Sequence, residues 1–262
     1  MSAVRISVLV LSLLAPATTA PASTDAVDAV TDCVKSNQPS LSAEQEVTFR
    51  VVDRLGAERV SNAKIYWQKF GEDSKALVRF SAPPDLRGSA LLLLQKGERS
   101  DMLMYLPELQ KVRRVTKRSV SGSMFGTDFS YEDFERFQGL TEDGAARRLP
   151  DAEVGGRKVF VVEGHPARGD QSAYDRVVTF VDQEWCVPIR TELYEQGERL
   201  SKVMVTPSEK IEKLDAVWVP RVVTIEDVVD ATRTELTVDE IEIDKKLPRK
   251  LFSERELVSR GR

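Results

Sequence analysis

The sequence predicts a mainly β fold, a single antiparallel sheet that curls or closes on itself. Two observations carry this. Apolar residues recur with a period of two in many short runs, as strands with one buried face require. Turn signals separate these runs at short, regular spacing: Leu55-Gly56, Phe70-Gly71, Gly155-Gly156, Gln196-Gly197 and Lys213-Leu214-Asp215. About a dozen strands fit the pattern, and alternating α/β units do not.

The chain opens with an export signal. Arg5 supplies the positive start, Ile6 to Ala15 is an apolar run, and small residues follow with Ala-x-Ala frames at Ala15/Ala17 and Ala20/Ala22. The run is too short to span a bilayer. Residues 1–22 are therefore read as a signal peptide cleaved somewhere in 17–22, and residues 23–262 as one domain. Cys33 lies too far on for lipid attachment, so the mature protein is expected to diffuse freely outside the cytoplasm. The 38 Lys and Arg against 42 Asp and Glu give a net charge of −4, and losing Arg5 takes it to −5. Such a balance exerts no overall pull on nucleic acid.

Residues 24–36 (TDAVDAVTDCVKS) predict a helix, with Val27, Val30 and Val34 at helical spacing and Asn37-Gln38-Pro39 ending it. Alternation then takes over. Val47, Phe49 and Val51 share one face, as do Ala63, Ile65 and Trp67. Tyr174, Val178 and Phe180 lie opposite Asp175 and Thr179. Leu200 and Met204 form another such set, and Val219, Val223 and Ile225 close the series. Residues 90–94 (ALLLL) are apolar at every position and predict a strand covered on both sides; 102–106 (MLMYL) read similarly. Residues 119–140 form a glycine-hinged, aromatic loop leading into a short helix near 130–137. Leu251 to Arg262 reads as a short helix or frayed tail.

Reactive constellations are missing from the sequence. The only histidine, His165, precedes a proline at a strand end and reads as an exposed turn residue. No nucleophile elbow, Walker loop or dinucleotide fingerprint is present. Asp128, Glu132, Asp133 and Glu135 could hold Ca²⁺, but their spacing does not fit an EF-hand loop, so they are expected to be solvated or capping groups. No metal, cofactor or catalytic residue is predicted. The run 111–118 (KVRRVTKR) reads as a strand with a cationic face, Val112 and Val115 pointing inward, or as a patch docking an acidic partner or anionic lipid through Lys111, Arg113, Arg114, Lys117 and Arg118. Cys33 and Cys186 can form a disulfide in an oxidising compartment; two buried free thiols are the alternative.

Three stretches, RFSAPPDLRGSALL (79–92), MLMYLPELQKVRR (102–114) and SGSMFGTDFSYEDF (121–134), resemble the periplasmic outer-membrane lipoprotein-sorting proteins, relatives of the carrier LolA and the receptor LolB. The resemblance runs from about Asn37 to the C-terminus; Asn-x-Pro at 37–39 and Trp218-Val219-Pro220 also look typical. It implies an unclosed antiparallel β-barrel covered by short helices and loops, with a hollow that in the carriers receives acyl chains. It further implies a periplasmic location, a link to RND-type transporters or an outer-membrane receptor, and no catalysis. A monomer binding a lipid or acylated lipoprotein is the expected form, with a lipid-free structural adaptor on an envelope transporter as the alternative. Exposing an acyl chain to water costs about 0.8 kcal/mol per CH₂, so a carrier needs an apolar cavity lined by adaptable side chains. Side-chain type, not the motif, selects the candidates: Trp67, Leu92, Leu94, Met102, Met104, Tyr105, Phe125, Phe129, Tyr131 and Phe134. Gly122 and Gly126 are expected to let the covering loop move.

Overall fold

The computed structural model describes residues 24–97, 99–116, 119–137, 145–166 and 172–259. The expected signal peptide, Lys117 and Arg118 lie outside them. Helix α1 (Thr24–Ser36) comes first, where helical spacing predicts it. Strands β1 (Ser42–Val52), β2 (Glu58–Phe70), β3 (Asp73–Ala82), β4 (Ala90–Lys96), β5 (Arg99–Leu106) and β6 (Lys111–Val115) then run back and forth as a meander. After helix α2 (Tyr131–Phe137), a second meander holds β7 (Ala145–Val154), β8 (Arg157–His165), β9 (Arg176–Asp182), β10 (Pro188–Glu195) and β11 (Arg199–Val205).

The two meanders join late in the chain. Strand β14 (Val222–Asp227) pairs with β11, placing Ile225 opposite Met204. Strand β15 (Thr232–Ile243) pairs with β1, placing Leu236 opposite Phe49. One thirteen-stranded antiparallel sheet results, in the order β6-β5-β4-β3-β2-β1-β15-β14-β11-β10-β9-β8-β7. Among the described residues its terminal strands, β6 and β7, do not pair with each other.

Residues 219–225 are not one strand. Strand β13 (Val217–Pro220) pairs with β12 (Ile211–Leu214) in a separate two-stranded ribbon. Pro220 closes β13, and the Arg221 N–H turns back to the Lys210 carbonyl, so the chain enters the main sheet only at β14. A proline has no N–H for a central ladder, which is why the break falls there.

Strand β4 is covered on both faces. Leu91 and Leu93 pack on the inner face with Phe49, Val78 and Phe80. Leu92 packs on the outer face with Leu77, Leu247, Phe252 and Leu257. Burying a leucine fully is worth about 1.5–3 kcal/mol, so a strand apolar on both sides draws a layer onto each. The outer layer is the C-terminal segment, ending in helix α3 (Glu254–Val258). Arg79 on β3 holds it by donating to the carbonyls of Glu256 and Ser259. The inner layer is the aromatic loop, which fills the part of the sheet formed by β1 to β5.

Candidate binding cavity

The aromatic loop enters the inner face as a plug. Met124, Phe129 and Phe134 are buried there, with Phe129 edge-on to Phe49 (6.3 Å) and Phe125 against Phe80 (4.8 Å). Gly126 adopts φ +79°, and a Cβ at that position would meet Arg59 Nη1 at 2.9 Å. The positive φ demands glycine, whereas the half-exposed Arg59 side chain could move aside. Helix α2 starts with a capping box: Ser130 Oγ accepts from Asp133 N–H (3.0 Å), and Asp133 Oδ2 accepts from Ser130 N–H (2.8 Å).

The acids of this segment anchor the plug to the second meander. Asp133 also accepts from Tyr174 OH (2.8 Å) and Lys202 Nζ (3.0 Å). Burial, then the Asp133 carboxylate, hold the Tyr174 phenol well above its ordinary value of 10.0, so it remains a donor. Asp128 accepts from the hydroxyls of Thr232 and Thr234, and Glu132 from Ser172, Ala173 N–H and Arg136. Among the described residues no three His, Cys, Asp or Glu side chains form a group that could hold a metal ion. His165 ends β8 half-exposed, with Nε2 3.2 Å from Glu163 and Nδ1 2.9 Å from the Asp175 carbonyl.

Beyond the plug the inner face is hollow. A cavity of about 330 Å³ lies there. One wall is Ala43, Gln45, Ile65 and Trp67 on β1 and β2, with Ile241 on β15. The facing wall is Val177 and Thr179 on β9, Thr191 and Leu193 on β10, and Met204 and Thr206 at the end of β11. Asp133 and Arg136 of α2 close one end. At the other, Asn37, Gln38 and Pro39 after α1 meet Val217 to Pro220 of the ribbon.

That last closure joins two segments far apart in the chain. The Asn37 side chain donates to the Trp218 carbonyl (2.9 Å) and accepts from the Trp218 N–H (2.7 Å), replacing a backbone ladder at two points. Trp218 stacks on Trp185 at 5.0 Å. The neighbouring Cys186 forms a disulfide with Cys33 of α1, closing a sequence separation of 153. Helix, ribbon and the β9–β10 turn are thus tied together over the cavity.

Arg157 lies 3.5 Å above the Trp185 ring and holds Asp182 through two hydrogen bonds of 2.7 and 2.9 Å. Burial pushes the Asp182 carboxyl up, but Arg157 and the N–H groups of Trp185 and Glu184 outweigh it and hold it below the ordinary 3.8. Burial also pushes Glu163 up, and hydrogen bonds from Arg147 and His165 bring it below 4.5. Both groups give up their protons more readily when folded. Their stabilisation is complete above the unfolded value and is lost as pH falls through the folded one. Stability is therefore expected to hold down to about pH 5 and to decline below about pH 4. Urea midpoints along that range test this; a midpoint unchanged at about pH 3 would contradict it.

Of the candidates chosen by side-chain type, Trp67 lines this cavity and the others do not. Met102, Met104, Phe125, Phe129, Tyr131 and Phe134 lie on the inner face but pack into the plug and its bed; Tyr131 OH reaches Met104 Sδ at 3.4 Å. Leu92, Leu94 and Tyr105 point to the outer face, under the C-terminal segment. The reason is parity: Leu91 and Leu93 look inward, so their neighbours cannot. On β9, Thr179 takes the cavity side, while Val178 and Phe180 pack on the opposite face with Val159 and Val161. Lys111, Arg113 and Arg114 are exposed on the edge strand β6, where Arg114 pairs with Asp101 (2.8 Å). Val112 and Val115, three residues apart, pack on opposite faces instead of one.

The fold is one already seen in other proteins. A domain from Vibrio parahaemolyticus named for outer-membrane lipoprotein sorting superposes with a TM-score of 0.79 at 22% identity, covering 89% of this chain and 98% of its own. A DUF1329 family protein from Desulfovibrio piger gives 0.80 at 23%, covering 88% and 98%. A LolA superfamily protein from Nitrosomonas europaea gives 0.67 at 19%, covering 87% and 98%. No curated protein matches the sequence significantly. A family model described as "Uncharacterized protein" matches residues 72–259.

Proposed function

The chain belongs to the family matched over residues 72–259, and we propose that it is a non-catalytic periplasmic protein that takes an acyl chain of a lipid or lipoprotein into a half-barrel cavity. The observation that carries this reading is the cavity itself, apolar over Ile65, Trp67, Val177, Leu193, Met204 and Ile241. Its walls support a bent sheet. Strands β2 and β9 stand six places apart in the order, which on a flat sheet is about 29 Å, yet both line one space of about 330 Å³. A sheet wrapped around that space, as in an unclosed barrel, reconciles the two.

The shared fold supports a place among the sorting proteins and their relatives. The signal peptide expected at residues 1–22 and the Cys33–Cys186 disulfide both suit the periplasm. No helix among the described residues is long and apolar enough to cross a membrane. Transfer to an outer-membrane receptor, or from an RND-type transporter docking at the cationic edge of β6, belongs to the same reading. A lipid-free adaptor has less support, because an adaptor has no need of a hollow.

Mass spectrometry of extracts from the purified mature protein tests the proposal. Lipid is expected to co-purify. Ala43 is buried in the cavity wall, so Ala43→Phe places a ring in the hollow without displacing core. This variant should fold and lose its lipid. Wild type free of lipid, and unable to bind a fluorescent fatty acid, would sink the idea.

A further inference from the structure

The polar groups in the cavity walls are sorted by charge. The charged ones are already engaged: Asp133 with Tyr174, Lys202 and Ser130, and Arg136 with Glu132 at 3.2 Å. Arg190, at the margin, gives its Nε to Glu192 (2.8 Å), two residues on and on the same face of β10. Thr191 and Leu193 take the other face. The neutral groups stand differently. Thr179 and Thr191 are direct cross-strand partners on the inner face, and Thr206 follows Met204 on the same face of the next strand. Gln45 faces them from β1, between Ile65 and Ile241. Among the described residues, no hydrogen bond engages the side chain of any of these four.

The two arginines of the lining, Arg136 and Arg190, are already committed to Glu132 and Glu192, so a carboxylate or phosphate at the threonine band would be desolvated and would have to compete with those carboxylates for a cation, a cost of several kcal/mol. A hydroxyl or ester carbonyl would instead find hydroxyls that can donate and accept. Size narrows the choice further. At about 330 Å³ the cavity stands at the small end of ligand pockets, which run from about 300 to about 1,000 Å³, and this favours one chain over two or three side by side.

Resting on the acyl-binding reading above, we propose that the cargo is a singly acylated lipid with an uncharged head, a monoacylglycerol or a close analogue. Thr179, Thr191 and Thr206 hold its ester or hydroxyl group. Neutral hydrogen bonds at this band give specificity, and the Ile, Val, Leu and Met side chains give affinity.

Displacement of a fluorescent hydrocarbon probe at neutral pH tests this, with monolaurin, lauric acid and methyl laurate as competitors. Monolaurin is expected to bind at least about tenfold tighter than laurate, the uncharged methyl ester falling between them. Thr179→Val and Thr191→Val, which keep side-chain shape, should each weaken monolaurin about two- to tenfold and leave the hydrocarbon probe unchanged. Thr191→Ser, which keeps the hydroxyl, should retain wild-type affinity for monolaurin. Laurate binding as tightly as monolaurin, or valine variants indistinguishable from wild type, would overturn the head-group assignment and leave the acyl-binding reading standing. Failure of every competitor and of the probe would overturn both.

Discussion

Asp133→Ala is expected to destabilise the protein by about 3–5 kcal/mol, as loss of one partner of a buried ion pair does. Asp133 is 1% exposed and accepts from three donors on separate segments: Ser130 N–H, Tyr174 OH and Lys202 Nζ. Alanine would leave the Lys202 ammonium buried with only the Asp128 carbonyl, 2.7 Å away, and would strand the Tyr174 phenol. It would also remove half of the capping box of α2, worth about 1 kcal/mol by itself. Asp133→Asn keeps an acceptor and should cost less. Combining Asp133→Ala with Lys202→Met should recover part of the loss, because the charge left without its partner goes too. Urea denaturation of the three variants measures all of this. A loss below about 1 kcal/mol for Asp133→Ala would mean that solvent already screens the pair.

The partners of Asp133 lie 3, 41 and 69 residues away in the chain, and only the first follows from local rules. Local rules are readable. The valine spacing of 24–36 identifies α1, and the five apolar residues of 90–94 identify a strand covered on both sides, as β4 is. Asn37-Gln38-Pro39 and Trp218-Val219-Pro220 also stand out, and they meet at one end of the cavity. Parity in an unbroken apolar run is not readable. Leu91 and Leu92 are the same residue type, and only the partner strands decide which looks inward. Nor can alternation say which face of a doubly buried strand meets a hollow. On β9, Val178 and Phe180 suggest the inward face, whereas the less apolar Thr179 lies on the cavity wall. A void has no residue type of its own. Its walls come from β1, β2, β9, β10, β11 and β15, brought together only by the late β14–β15 hairpin.

Phe129→Ala should cost a similar amount, about 3–5 kcal/mol, for a different reason. The ring is 1% exposed and edge-on to Phe49, itself fully buried on β1. Truncation removes the apolar area and leaves a void bounded by sheet residues that cannot close on it, since β1 is locked between β2 and β15. Phe125 offers an internal contrast. Its ring is nearly as buried, but its backbone sits at φ 51°, strained for a residue with a side chain. Phe125→Gly therefore loses the ring while relieving that strain, and should cost less than Phe125→Ala. The plug residue and the cavity residue should then separate by readout. Phe129 does not line the cavity, so Phe129→Ala should lower the urea midpoint while each folded molecule keeps its ligand. Ala43→Phe should do the reverse, emptying the cavity at little cost in stability. If Phe129→Ala instead emptied the cavity while the fold held, plug and hollow would be one coupled unit, and the division of the inner face argued from these contacts would be wrong.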